Sequence, residues 1–345
     1  MNKRPFIIDC DTGTDDAIAL LAAFGCEEIE LLGITCVNGN VIEEYVSKNN
    51  LDLCEYIGVD VPVCRGAKYP LTLGYRNAAD ITHGKTGLGS VILADAVNKK
   101  FDERISSEFI YKKALECNGE LELLVIGPMT NIAIAYVQYP ELRKLIKHIW
   151  FMGGSIEGGN ITTTAEFNIW ADPEAARTVF MSGIPMTMVG LDVTLKAIMN
   201  EDDIKKLRKH NSKASNLTAD LLEFMAVRRD EGGEDLVMHD ALALAAALYP
   251  ECMKYEEYWV DVETSGTYTR GNTFVDTRHK LGNTANMDVA IEVDVPGVLG
   301  KHNRYISFSP WKAPAPASSA AIRVRSTGCV TLITNSVFTE FVSGL

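Results

Sequence analysis

The stretch Phe6-Ile7-Ile8-Asp9-Cys10-Asp11-Thr12-Gly13-Thr14-Asp15-Asp16-Ala17-Ile18-Ala19-Leu20-Leu21 decides how this chain is read. Its apolar opening, Phe6 to Ile8, predicts a short buried strand. Four carboxylates follow: Asp9, Asp11, Asp15 and Asp16. The run from Ala17 to Phe24 then predicts a helix, with Asp15 and Asp16 at its N-terminus, where the helix dipole favours negative charge. Gly13 is expected to let the backbone turn tightly between the two elements. Four like charges this close repel unless a cation is present or some of them are protonated. Carboxylates are hard oxygen ligands, which suit Ca²⁺ or Mg²⁺ better than Zn²⁺. A buried strand leading directly into them puts the loop at the C-terminal edge of a sheet, where open α/β folds bind ligands.

Two acidic motifs are tested against this loop. An EF-hand needs Gly at its sixth position and Glu at its twelfth. Counted from Asp9, those places hold Thr14 and Leu20. A phosphohydrolase of haloacid-dehalogenase type resembles strand-Asp-x-Asp-x-Thr, with the first Asp as nucleophile. Asp9 and Asp11 fit it, but Gly13 stands where Thr is required. That Mg²⁺-dependent reading remains the second one.

Working outward, strands and helices alternate. Glu30 to Thr35 predicts a strand, Val41 to Ile57 a helix and Pro62-Val63 a short strand. Leu121 to Ile126, His148 to Met152 and Met186 to Val189 predict further strands. Helices are predicted after Asn131, over Pro173 to Met181, as two polar segments within Glu201 to Arg229, and over Ala241 to Leu248. Tyr258 to Val293 reads as strand-rich. This alternation predicts one α/β domain on a mostly parallel central sheet flanked by helices. The glycine-rich loop from His83 to Gly89 lacks the spacing of a phosphate-binding P-loop.

The 345 residues carry a net charge of −13, which argues against nucleic acid or an anionic membrane as partner. With 47% hydrophobic and 23% charged residues, the composition is that of an ordinary globular chain. The eight cysteines are scattered without a Cys-x-x-Cys pair, so reduced thiols and a cytoplasmic location are expected. No stretch approaches the roughly 20 apolar residues of a membrane span. From Lys301 onward the sequence changes: one acid, Glu340, stands against five Lys or Arg, and Lys312 to Ala321 is linker-like. The domain is therefore expected over residues 1–300, with an atypical, irregular tail over 301–345.

Several loops fall at predicted strand C-termini: Asp9 to Asp16, Val37 to Asn40, Gly127 to Asn131, Met152 to Asn168, and His239-Asp240. Together they resemble the inosine-uridine preferring nucleoside hydrolases. That family opens with a strand and Asp-x-Asp-Pro-Gly-x-Asp-Asp-Ala, which stands here as Asp9 to Ala17 with Thr12 in place of Pro. The resemblance continues in VNGN, HGKTGLG, GPMTNIA, MGG, GN, AEFN, ADPEAA and HDA, in order, over residues 5 to about 293.

The resemblance implies hydrolysis of the N-glycosidic bond of purine or pyrimidine ribonucleosides, in nucleoside salvage, by a homodimer or homotetramer holding one Ca²⁺. It implies Asp11, Asp16, Asp240 and the backbone carbonyl of Thr130 as the protein's calcium ligands. Asp11 would also be the general base, with Asn40 orienting the water. Asp15, Asn160, Glu166 and Asn168 would hold the ribose hydroxyls, and Met152 would line the sugar pocket. His239 is the candidate acid for the leaving base, since imidazole titrates near neutral pH, and His83 would flank the base. Asp9 is expected to support the site from behind. Family members that accept purines often carry tyrosines before His-Asp; the segment from Phe224 to Met238 has none, so base preference stays open.

Overall fold

The computed structural model describes residues 3–72, 80–233 and 235–293; residues 294–345, and with them the tail expected over 301–345, lie outside the described residues. Its strands are β1 (Arg4–Cys10), β2 (Ile29–Cys36), β3 (Val63–Cys64), β4 (Leu121–Val125), β5 (Ile146–Met152), β6 (Met186–Val189), β7 (Met253–Tyr258), β8 (Val260–Val262), β9 (Thr273–Val275) and β10 (Met287–Val293). Eight of them form one sheet in the order β3-β2-β1-β4-β5-β6-β10-β7. All neighbours are parallel except β10 and β7. The sheet is thus α/β and mostly parallel, as the alternation predicts.

Side-chain alternation in the central strands splits the core in two. Phe6, Ile8 and Cys10 of β1 join one cluster, and Ile7 joins the other. Successive strand residues point to opposite faces, so each face needs its own cover. The helices Thr14–Gly25, Lys213–Asp230 and His239–Leu248 cover the first face, supplying Ile18, Leu221 and Leu242. The helices Ser106–Cys117, Thr130–Gln138 and Pro173–Phe180 cover the second, through Phe109, Ile132 and Val179.

Strand order fixes where a site can form. From β1 the chain winds one way through β2 and β3, then returns to add β4, β5 and β6 on the other side. The loops after β1 and β4 therefore part in opposite directions and leave a crevice at the strand C-termini. The acidic loop after β1 sits in that crevice.

Some expectations are corrected. The helix Ser106–Cys117 gave no clear signal, because its buried apolar face is narrow, Phe109, Ile110 and Ala114, among charged residues. Strand β7, MKYEEY, lies outside the predicted strand-rich segment; as an edge strand with only its end residues buried, it needs little apolar sequence. Gly13 does not turn the chain through a left-handed conformation: its φ is −94°. It is required for close approach, since a Cβ there would stand 2.5 Å from His83 Nδ1 and 2.8 Å from Asn40 Nδ2.

Candidate active site

Strand β1 runs through Asp9 and Cys10 and delivers Asp11 at its end. Asp9 is completely buried; its Oδ1 accepts from Thr35 Oγ1 and, at 2.8 Å, from Asn131 Nδ2. Burial pushes its carboxyl up to about 7, against the pull of those two donors. Asp9 is not among the residues that line the crevice cavity. Its Oδ1 is taken up by the Thr35 and Asn131 donors, so the carboxyl is held as a structural acceptor and not presented as the nucleophile that the phosphohydrolase reading requires. Thr12, where the family pattern has Pro, donates its hydroxyl to Asn50 Oδ1 at 2.7 Å and so ties the loop to the helix Glu43–Ile57.

Asp11 is held by the loop after β2. The Asn40 backbone N–H donates to Asp11 Oδ2 at 2.7 Å, and Asn40 Nδ2 donates to Asp16 Oδ2 at 3.1 Å. Asp16 Oδ2 also accepts from the Gly13 N–H at 2.9 Å, closing the first turn of the helix Thr14–Gly25. Gly39 is forced by this packing, because a Cβ there would lie 2.0 Å from Asp11 Oδ2.

Carboxylate oxygens of Asp15, Asp16 and Asp240 lie within 4.8 Å of one another, all buried. The charges of Asp15 and Asp16 act on both Asp11 and Asp240, which joins the four groups into one electrostatic cluster. Asp11 Oδ1, Asp15 Oδ1 and Asp16 Oδ1 are buried with no hydrogen-bond partner. Burial, then the Asp15 charge, pushes Asp16 up to about 7. Burial and the neighbouring carboxylates push Asp11 and Asp240 well above the usual range. Bare protein would have to keep protons on this cluster at neutral pH. A hard divalent cation fits it better: the clustered groups are all carboxylates, and three of their buried oxygens lack hydrogen-bond partners. Thr130, at the start of the helix after β4, is buried, and its hydroxyl donates to Asp172 Oδ2 at 2.7 Å.

A cavity of about 380 Å³ opens over this cluster. Asp15, Asn40, His83, Met152, Asn160, Glu166, Asn168, His239 and Asp240, all singled out in the sequence, line it together. Asp11, Asp16 and Thr130 are not on its wall. Glu166 caps the short helix Phe167–Ala171, accepting from Asn168 and Ile169 N–H groups at 2.9 and 3.1 Å and from Gly154 N–H at 2.9 Å. Asn168 Nδ2 donates to the carbonyls of Ile126 and Met152 at 3.1 and 3.2 Å, bridging the ends of β4 and β5. Asn160 Oδ1 accepts from the Phe167 N–H at 3.0 Å. His83 Nδ1 lies 3.1 Å from Thr14 Oγ1 and 3.9 Å from Asp15 Oδ1. His239 Nδ1 lies 2.8 Å from Thr194 Oγ1.

Sequence reasoning missed part of the wall. Ile161, Phe167, Met225, Arg228, Asp235 and Val237 also line the cavity. Met225 and Arg228 stand three apart on one helix, so they share a face. That spacing, in the segment just before His239-Asp240, was the available signal.

The model of the inosine-uridine preferring nucleoside hydrolases matches residues 6–300. The chain is 41% identical over 303 residues to a pyrimidine-specific ribonucleoside hydrolase of Photobacterium profundum, covering 86% of this chain and 96% of that protein. It is 39% identical to uridine nucleosidase 1 of Arabidopsis thaliana, covering 85% and 90%. Among solved structures, a purine-preferring ribonucleoside hydrolase from Gardnerella vaginalis superposes with a TM-score of 0.80 at 34% identity, covering 86% of this chain and 95% of that one.

Proposed function

The chain belongs to the inosine-uridine preferring nucleoside hydrolase family, and from that membership we propose that it hydrolyses the N-glycosidic bond of ribonucleosides, purine, pyrimidine or both, to ribose and free base, with Ca²⁺ as its ion. The observation that carries this reading is the carboxylate cluster beneath the cavity, with three buried oxygens that have no hydrogen-bond partner. Asp11, Asp16, Asp240 and the Thr130 carbonyl would hold the ion. When bound, it supplies Lewis acidity, which lowers the pKa of water and orders the ribose 2′- and 3′-hydroxyls.

The chain's own groups supply the rest. Asp11, held by the Asn40 N–H, takes a proton from the water that attacks C1′. Asp15, Asn160, Glu166 and Asn168 surround the sugar with carboxylate and amide oxygens, which favour the positive charge that grows on an oxocarbenium-like C1′. The bond to the base breaks with its electron pair on the base. His239, oriented by Thr194, gives a proton to a leaving purine, and His83 flanks the base. Asp9 keeps the end of β1 and Asn131 in place. Assembly as a homodimer or homotetramer, action in nucleoside salvage and a cytoplasmic location belong to this reading too. Among the described residues no helix is long and apolar enough to cross a membrane.

The test is incubation with inosine or uridine and Ca²⁺, followed by assay for ribose. Turnover supports the reading. Binding of the nucleoside without ribose release would favour the alternative, a non-catalytic calcium- and nucleoside-binding protein.

A further inference from the structure

The cavity is electrically lopsided. Asp15, Glu166 and Asp240 give one part of its wall an acidic character. Among the described lining residues, Arg228 is the one Lys or Arg. It stands in the last turn of the helix Lys213–Asp230, half-buried, and its Nη1 donates to the Thr82 carbonyl at 2.5 Å. Thr82 directly precedes His83, so the guanidinium is held on the His83 side of the cavity. Met225, Phe167 and Val237 line the same space, and so does Asp235. The neighbouring Arg229 is spent otherwise, pairing with Asp230 at 2.8 Å and Glu201 at 3.6 Å.

Cleavage of a nucleoside separates charge in the same sense. The C1′–N bond breaks with its electron pair to the base, while the sugar becomes positive. A water oxygen then bonds to C1′, the water's proton goes to Asp11, and the anionic base takes a proton from solvent. Negative charge on a departing oxo-base spreads onto its carbonyl oxygen. A guanidinium is charged at any working pH and cannot give up its proton. It therefore serves as a fixed donor to an anion rather than as an acid, and its attraction is strengthened by apolar surroundings.

We propose that Arg228 binds the carbonyl oxygen of the departing base and stabilises its negative charge, so that the site favours uracil, which leaves as an oxo-anion, over adenine, which has no carbonyl. This inference rests on the hydrolase reading above. Met225 and Phe167 give the base an apolar seat, and Arg228 supplies the hydrogen bond that sets its identity.

The experiment compares full-length wild type, Arg228→Gln and Arg228→Lys, all loaded with Ca²⁺, on uridine, adenosine and p-nitrophenyl riboside. The last has a leaving group that departs as a stable anion without help. Arg228→Gln is expected to lower kcat for uridine by about 10²–10³-fold, the usual cost of one donor aimed at developing negative charge. The same change should leave p-nitrophenyl riboside nearly unaffected, narrow the gap between uridine and adenosine, and be partly reversed in Arg228→Lys. Equal losses on uridine and p-nitrophenyl riboside would mark Arg228 as structural and overturn the inference, as would no loss on uridine. Wild-type protein that releases ribose from none of the three would instead overturn the hydrolase reading on which the inference stands.

Discussion

Asn40 grips Asp11 through its backbone, not its side chain: the Asn40 N–H donates to Asp11 Oδ2 at 2.7 Å, while the Asn40 amide reaches Asp16 Oδ2 at 3.1 Å. One residue thus orients both the proposed general base and a proposed calcium ligand. Asn40→Ala should keep the first contact and lose the second. Calcium affinity is expected to fall by roughly 10–100-fold, as for other residues that orient metal ligands. At saturating Ca²⁺, kcat should recover much of its wild-type value. Calcium titration by calorimetry checks the first statement, and kcat at high calcium the second.

Thr130 separates a side-chain role from a main-chain one. Its hydroxyl donates to the buried Asp172, which also caps the helix Pro173–Phe180. The proposed contact with calcium is through the carbonyl. Thr130→Val should therefore cost about 1 kcal/mol of stability, because the buried Asp172 Oδ2 keeps the Leu71 N–H but loses its second donor. It should change calcium affinity little. Denaturant unfolding and calcium titration of the same variant test the two halves, and a large loss of calcium affinity at unchanged stability would count against the assignment.

How far the sequence reaches can be judged from single residues. Phe6, Ile7 and Ile8 announce β1, because a strand buried on both faces is apolar without interruption. The acidic loop, the VNGN turn and the His-Asp pair follow from their places at strand ends, and the structure gathers them round one crevice. Two kinds of feature were hidden. Asp172 and Thr194 act through contacts with residues far along the chain, at Thr130 and His239, which no local pattern encodes. Arg228 sits on a helix whose face is decided by packing, and a cation there reads as an ordinary exposed charge. Glu166 is a third case: Glu is not a favoured N-cap, yet it caps the helix Phe167–Ala171 through two of its backbone N–H groups and also accepts from the Gly154 N–H.

With calcium as the proposed ion, the cluster should make stability depend on pH and calcium together. In protein freed of divalent ions, the Asp16 carboxyl is pushed up to about 7 and those of Asp11 and Asp240 are pushed higher than usual. Between the ordinary carboxylate range, near pH 4, and pH 7, the folded state thus binds more protons at these groups than the unfolded chain does. Their contribution to stability is present at low pH and is lost as pH rises through 7. Calcium takes the place of the protons, so its affinity should rise over the same window. The gap in Tm between calcium-loaded and chelated protein is expected to widen from about pH 5 to about pH 8. A gap that stays constant or shrinks would contradict the cluster as the calcium site.

The role proposed for His239 in leaving-group chemistry can be tested separately. Its ring is oriented by Thr194 Oγ1 at 2.8 Å. If it protonates a departing purine, His239→Ala should slow inosine hydrolysis by about 10²–10⁴-fold, the usual range for general acid catalysis. It should spare p-nitrophenyl riboside. Loss of both activities together would point to displacement of the adjacent Asp240 instead.

The central claim is that this carboxylate cluster, loaded with calcium, hydrolyses ribonucleosides. The most direct measurement is ribose released from uridine and inosine by wild type and Asp11→Asn, each with Ca²⁺ and after chelation. The account predicts equal amounts of ribose and free base from calcium-loaded wild type, loss of turnover on chelation, recovery when calcium is returned, and no more than a trace from Asp11→Asn. Ribose release that survives complete chelation, or an Asp11→Asn variant as active as wild type, would contradict it.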